Sequence, residues 1–328
     1  MEKFSILEKV LVDKQKNNLK YLDSEKVFES SASGKFSVMG GIPDLFIDDG
    51  DKITAAQKEF YEDIKFPNYN GIETFADLID KAKKSIFAEK LNNEIPMHSN
   101  ILEAGCGTGQ LSIFLSKYKR QIFSIDLSMG SLKLGEDFRK KNQINNVHFM
   151  RMNLFNLMFY ENFFDVIISN GVLHHTKNPK LAFTELTKCL KKNGYIVIGL
   201  YHKYGRVFTK IRQLLIKYLG DGLKILDKKN IDKSLSSEKR YAWFNDQYKN
   251  PKESTHTFSE ILKWFDDSGI EFISSIPFSF PGDLLEKSLF KKQEKINNYE
   301  IFYKEIFQSL SYSQIKEGGF FIMIGRKI

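Results

Sequence analysis

Five short apolar runs, each followed by a stretch of helical period, organise the middle of the chain. Ile101 and Leu102 lead to Glu103, with LSIFLSKY after the turn; the other runs are QIFSIDLS (121–128), NVHFMRMN (146–153), FFDVIISN (opening 163–176) and GYIVIGLY (194–201). Strands alternating with helices over about a hundred residues predict a parallel, doubly wound sheet, because each crossover needs a helix to carry the chain back. The fourth run is wholly apolar at Val166, Ile167 and Ile168 and breaks at Asn170 and Gly171. LKKNG, ahead of the fifth, reads as a helix end with basic residues and a glycine stop.

Upstream, residues 54–95 read as helices broken at Pro67. The second, over 72–91, carries Phe75, Leu78, Ile79, Ala82, Ile86, Phe87 and Leu91 at helical spacing, a stripe for core packing. Downstream, 258–267 is an amphipathic helix that Thr257 or Ser259 can cap, with Glu260 in its first turn. GIEFISSIP and FFIMIGRKI supply two last strands, expected as an antiparallel pair, and 278–319 between them reads as helical with mixed charge. Five regions result: a small β-rich module at 1–50, a helical lid at 51–98, an α/β core at 99–201, a basic cap at 202–256 and a C-terminal completion at 257–328.

The chemistry concentrates at strand ends. Gly105, Gly107 and Gly109 make a turn where backbone can approach a ligand that any Cβ would block. A dinucleotide fingerprint would place its third glycine at Gln110, so the spacing differs from that class. Asp126 closes the second strand, where a carboxylate can accept both ribose hydroxyls of a nucleoside. Ligands of open α/β sheets sit beyond the carboxyl ends of strands, which puts Asn170, Gly171, Val172, His174 and His175 at the mouth of a site.

Together ILEAGCGTGQ, IDLS, FDVIISNGVLHHT and GYIVIGLY resemble the class I S-adenosylmethionine (SAM)-dependent methyltransferases, nearest a bacterial type 11/12-like group. FYEDIKFPNYNG, GLYHKYGR and DQYKNPKESTHTFSEILKWF extend the likeness over roughly residues 60–265. The resemblance implies a Rossmann-like seven-stranded sheet with an N-terminal extension and helical cap insertions, and SAM as cofactor. It places Tyr61, Glu103, Gly105, Cys106, Gly107, Gly109, Gln110, Asp126, Leu127, Asn153, Leu154, Asn170 and Gly171 in the cofactor site. Asn153 stands where these enzymes usually carry an Asp facing the adenine amine, and its amide oxygen can still accept that bond. Tyr61, Phe66, Pro67 and Tyr69 would belong to a segment that folds over the cofactor. FESSASGKFSVMGGIPDLFIDD resembles the zinc-ribbon-like module ahead of some bacterial methyltransferases; its cysteine pairs are absent, so no metal is expected.

Composition adds limits. The two cysteines, Cys106 and Cys189, suit a reduced cytoplasm better than a disulfide. No apolar run approaches the ~18 residues of a membrane helix, so no stable membrane insertion is expected, and MEKFSILEKVLVDKQ does not resemble a signal peptide. Of the net +8, residues 202–230 hold eight Lys or Arg against two Asp, with Val207, Ile211, Leu214, Leu215 and Tyr218 in helical period. That cap can attract an acidic substrate, RNA or an anionic membrane surface.

A methyl donor of the sulfonium type asks the protein mainly for alignment and an unprotonated nucleophile. Candidate bases are His202 first, then His175 and Tyr204; His174, Tyr201 and His256 lie nearby. The turn after the fourth strand reads NGVL rather than the (N/D)PP(Y/F) of exocyclic-amine methylation, and neither cysteine is placed as the nucleophile of pyrimidine C5 methylation. The expected acceptor is therefore a small molecule. The alternatives are an RNA or protein methyltransferase docking through the basic cap, and a SAM-binding partner subunit without activity.

Overall fold

The computed structural model describes residues 2–65, 67–232, 235–276, 288–292, 298–310 and 319–328. Helix α1 (Glu2–Glu8) opens the chain and precedes a meander of β1 (Lys20–Leu22), β2 (Val27–Ser30), β3 (Gly34–Met39) and β4 (Ile42–Pro43), each antiparallel to the next. The buried carboxylate of Asp13 ties this module together, accepting from Ser30 Oγ at 2.7 Å and from the backbone of Gln15 and Asn17. Its apolar side (Leu7, Leu11, Leu19, Phe28) joins the same core as Phe123, Met150 and Phe159, and Leu45 N–H donates to the Arg151 carbonyl at 2.9 Å. The module is thus an extension of the core rather than a bead on a linker.

Three helices follow: α2 (Lys52–Asp63), α3 (Phe75–Ala82) and α4 (Ile86–Glu94). The single helix expected over 72–91 is two. Thr74 and Asp77 form a reciprocal capping box that starts α3, and Ser85 accepts from Ala88 N–H to start α4, so local caps cut the apolar stripe in half. Leu78 and Leu91 are buried as expected, whereas Ile86 beside the break is exposed.

The main sheet contains β5 (Asn100–Ala104), β6 (Gln121–Asp126), β7 (Val147–Arg151), β8 (Phe164–Asn170), β9 (Leu190–Tyr201), β10 (Ile270–Ile276) and β11 (Phe320–Lys327) in the order β10-β11-β9-β8-β5-β6-β7. The five predicted runs are its five parallel strands. Crossovers use α5 (Gln110–Leu115), α6 (Met129–Lys141) and α7 (Pro179–Cys189). LKKNG is not the end of a helix: α7 stops at Cys189 and Leu190 already begins β9, with Asn193 taking the left-handed turn (φ 63°). β11 is antiparallel to both β9 and β10, so one strand alone is reversed against the rest. Ile167 and Ile168 of β8 face opposite sides and are wholly buried, each in a different core cluster. Burial of such a side chain stabilises by about 1.5–3 kcal/mol, which fixes the strand at the sheet centre.

After β9 the cap is built from α8 (Val207–Leu219), α9 (Lys228–Ile231) and α10 (Ser237–Tyr248); α11 (Phe258–Asp267), capped by Thr257, then leads into β10. Of the segment 278–319, α12 (Asn298–Leu310) is helical, and much of the remainder lies outside the described residues.

Candidate active site

The parallel register brings the tips of β5 and β6 level, with Glu103 opposite Ser124 and Ala104 opposite Ile125. Beyond them the chain turns through Gly105, Gly107 and Gly109, at φ 78°, 55° and 73°. A Cβ on Gly105 would stand 2.4 Å from the Val172 side chain, so this turn can pass under the loop after β8 with glycine alone. Gly109 differs: its missing Cβ leaves room for the Phe149 ring, which would otherwise be 2.3 Å away. It packs the turn onto the sheet against Phe149 and is not among the residues that line the cavity.

A cavity of about 360 Å³ opens at these strand ends. The remaining twelve of the expected cofactor residues line it: Tyr61, Glu103, Gly105, Cys106, Gly107, Gln110, Asp126, Leu127, Asn153, Leu154, Asn170 and Gly171. Asp126 accepts Gly107 N–H at 2.8 Å on one oxygen and Ser128 N–H at 2.9 Å on the other. One carboxylate therefore ties both strand tips together, and each oxygen keeps a second lone pair for a hydroxyl. Burial raises its pKa against those bonds. Glu103 is buried more deeply; it accepts the Ser112 hydroxyl, whose oxygen is 2.6 Å from Ser124 Oγ. Burial, with the nearby Asp126 charge adding to it, pushes the Glu103 carboxyl up to about 7.

Asn153 uses its amide oxygen to accept Phe155 N–H at 3.1 Å, so a bond to an adenine amine would take that oxygen's other lone pair. Gln110 is spanned from both sides: Lys81 Nζ donates to its oxygen at 2.7 Å, and its amide donates to the Asn68 carbonyl at 2.8 Å. Thr108 Oγ1 donates to the Pro67 carbonyl at 2.5 Å, and Tyr69 Oη donates to the Thr108 carbonyl at 2.8 Å. The lid segment is thus latched directly to the glycine turn; Phe66 lies outside the described residues.

The cavity roof comes from α2 and α10. Asp51 caps α2, and Ile53, Thr54, Gln57 and Tyr61 form its cavity-facing side at helical spacing. Gln57 was not among the expected residues, although it stands one turn before Tyr61. Its amide nitrogen donates to Asn250 Oδ1 at 2.7 Å, while its buried Oε1 has no hydrogen-bond partner among the described residues. An orphaned buried acceptor in a cavity wall calls for a donor from a ligand. From α10 come Trp243, Asp246 and Gln247. Gln247 donates to Tyr201 Oη at 2.8 Å and accepts from Arg206 at 2.7 Å, and Arg206 lies 3.6 Å over the Tyr201 ring while gripping Glu253 with two nitrogens. Tyr201 is a wall held rigid by this chain of contacts, its phenol pKa raised by burial.

Of the expected bases, His175 lines the cavity. Its Nδ1 is 2.7 Å from the Lys252 carbonyl and donates to it, which leaves Nε2 as the ring nitrogen available to a ligand. His202 is corrected. It is fully buried outside the cavity wall, its Nδ1 accepts Gly205 N–H at 3.3 Å, and its Nε2 meets Glu305 at 2.9 Å. With both ring nitrogens engaged it holds the β9 end rather than a substrate proton. Tyr204 is also corrected: it is solvent-exposed and away from the cavity wall, since the chain turns outward after Tyr201. His174 is buried between His175 and Tyr201 and held neutral by burial, and His256 is bound by Ser254 and Glu260.

Residues 102–198 match the family described as a methyltransferase domain. An uncharacterised protein of Synechococcus sp. is 26% identical over 197 residues, covering 53% of this chain and 47% of that protein. A demethylmenaquinone methyltransferase of Staphylococcus haemolyticus is 27% identical over 129 residues, 38% of this chain and 53% of the relative. The chain thus spans about half the length of these curated relatives. Among solved structures, geranyl diphosphate C-methyltransferase of Streptomyces coelicolor, with S-adenosyl-L-homocysteine bound, superposes with a TM-score of 0.50 at 13% identity, over 85% of this chain and 99% of that one, a likeness of fold. Residues 102–198 are thus similar to methyltransferase domains, and the wall formed by Glu103, the glycine turn and Asp126 fits SAM as the cofactor.

Proposed function

We propose that the whole chain is a SAM-dependent methyltransferase whose acceptor is a small molecule. The observation that carries this reading is the enclosure of one cavity between two ends of different chemistry. The glycine turn, Glu103, Asp126 and Asn153 line one end, while Tyr61, His175, Tyr201, Trp243 and Asp246 line the other beneath α2 and α10. A recessed cavity roofed by α2 and α10 suits a small acceptor better than a polymer lying across a surface. The demethylmenaquinone methyltransferases among the relatives favour a small-molecule acceptor over a macromolecule.

SAM supplies a methyl group already made electrophilic by its sulfonium. The protein's own part is to hold Asp126 and Asn153 toward a nucleoside, exclude water with α2 and α10, and present aromatic walls that orient an acceptor. His175 is the group placed to take a proton from a hydroxyl or ammonium acceptor, through Nε2.

Transfer of label from methyl-labelled SAM into a cell extract, separated into metabolite, lipid, RNA and protein fractions, tests the proposal. Label in a metabolite or lipid of low mass, lost with Asp126→Ala, is the expected result. Label in RNA or protein would move the acceptor to a macromolecule. Intact SAM binding with no transfer to any fraction would leave a binding subunit.

A further inference from the structure

Helix α8 wears its apolar stripe on the wrong side for a helix of a globular core. Thr209 and Ile216 are its buried residues, and at 100° per residue they lie near one another. On the opposite side, Ile211, Leu214, Tyr218 and Leu219 are 48%, 55%, 76% and 69% exposed. With Val207 and Leu215 they fill an outward arc of roughly 140°. Ile225 and Leu226, in the 3-10 turn that follows, extend the patch and are exposed as well.

The flanks of that arc are basic. Lys210 and Lys217 project beside one edge of the stripe and Arg212 beside the other, with Lys203 and Lys224 at the two ends of the element. Among the described residues, Lys203, Lys210, Lys217 and Lys224 are exposed and pair with no carboxylate; Lys210 donates to Thr255 Oγ1. A lysine-rich rim around an apolar stripe disfavours a second copy of the same chain, since a twofold contact would bring the two lysine rows together. The stripe is mainly Val, Ile and Leu, with Phe208 and Tyr218 the rings among them, whereas a stacking platform offers a ring to each successive base. An anionic bilayer surface satisfies both features: acyl chains take the apolar face while phosphate headgroups meet the lysines.

We infer that α8 is an interfacial anchor that docks the protein on anionic lipid. The helix is braced against the cavity roof, because Gln213 donates to the Gln247 carbonyl at 2.8 Å and Arg206, just ahead of α8, bonds the Gln247 side chain. Docking would set the acceptor end of the cavity one helix away from the lipid phase.

Flotation of the full chain with extruded vesicles tests this without reference to methyl transfer, so its failure leaves the proposed function standing. The protein is expected to float with phosphatidylcholine–phosphatidylglycerol vesicles and to stay behind with phosphatidylcholine alone, the bound fraction falling as salt rises. Leu214→Glu with Tyr218→Glu, and separately Lys210→Glu with Lys217→Glu, should each cut that fraction by about tenfold. Retained SAM binding in these surface variants will show that they fold. No flotation with the anionic vesicles, or flotation that ignores both pairs of substitutions, overturns the inference. So does a vesicle-free dimer that Leu214→Glu dissolves.

Discussion

Tyr61 of α2 donates its phenol proton to Oδ1 of Asp246 in α10 at 3.1 Å and accepts from Asn250 Nδ2 at 2.9 Å. Two helices of the cavity roof, joined through residues 185 apart in the chain, are held together by this bond. Burial, with the Asp246 charge added, raises the Tyr61 pKa, so the phenol stays protonated and remains a donor at any pH the protein works at. Tyr61→Phe should therefore loosen the roof without unfolding the core. We expect a loss of about 1 kcal/mol in stability together with faster amide exchange in α2 and α10. Exchange unchanged in both helices would mean that the bond does not hold the roof.

Asp126→Ala removes the acceptor that joins the two strand tips and that the proposed function assigns to the ribose. SAM and S-adenosylhomocysteine should both bind at least about tenfold more weakly by titration calorimetry, a change of about 1.4 kcal/mol. Equal affinity in the variant would remove Asp126 from the cofactor site.

Gly105→Ala faces two obstacles, a φ of 78° and a Val172 side chain 2.4 Å from the new Cβ. Stability should fall by about 1–3 kcal/mol and SAM binding with it. Adding Val172→Ala should restore only part, because the contact is relieved while the backbone conformation is not. Full restoration would assign the whole effect to the contact.

Glu103 makes stability depend on pH. Below its ordinary value of 4.5 both folded and unfolded states hold the proton; between there and about 7 the unfolded chain releases it while the buried carboxyl keeps it. The native state is therefore progressively disfavoured as pH rises through that window, and by a constant amount above it. Glu103→Gln should be the more stable protein at neutral pH, with a Tm gap that opens between pH 4.5 and about 7 and then levels. A gap independent of pH would show that the carboxylate is ionised throughout.

His202→Gln separates a structural role from a catalytic one. Losing the contact with Glu305 inside the fold should reduce stability by about 1–3 kcal/mol while leaving methyl transfer per folded molecule in place. His175→Gln should do the reverse, lowering methyl transfer with a smaller change in Tm.

Much of the glycine-turn end of the cavity was legible because it is local. Gly105, Gly107 and Asp126 belong to strand–turn–helix units whose geometry is set within about twenty residues, and the alternation of apolar runs with helical segments specified five parallel strands before any contact was known. The acceptor half was not local. Gln57 and Trp243 stand on helices far apart in sequence, and only the packing of α2 and α10 over the same strand ends makes them neighbours.

The order of apolar and polar residues determined the parallel core, the glycine turn and the carboxylate at its tip, because these follow from periodicity and from backbone freedom at single positions. Tertiary structure alone decided which histidine meets the cavity. Along the chain His202 ranks ahead of His175 as a base, yet His175 lines the cavity while His202 is sealed by Glu305 from α12. It also decided that the apolar stripe of α8 faces outward. A hydrophobic period fixes that a helix has two faces; which face is covered depends on what the rest of the chain brings against it.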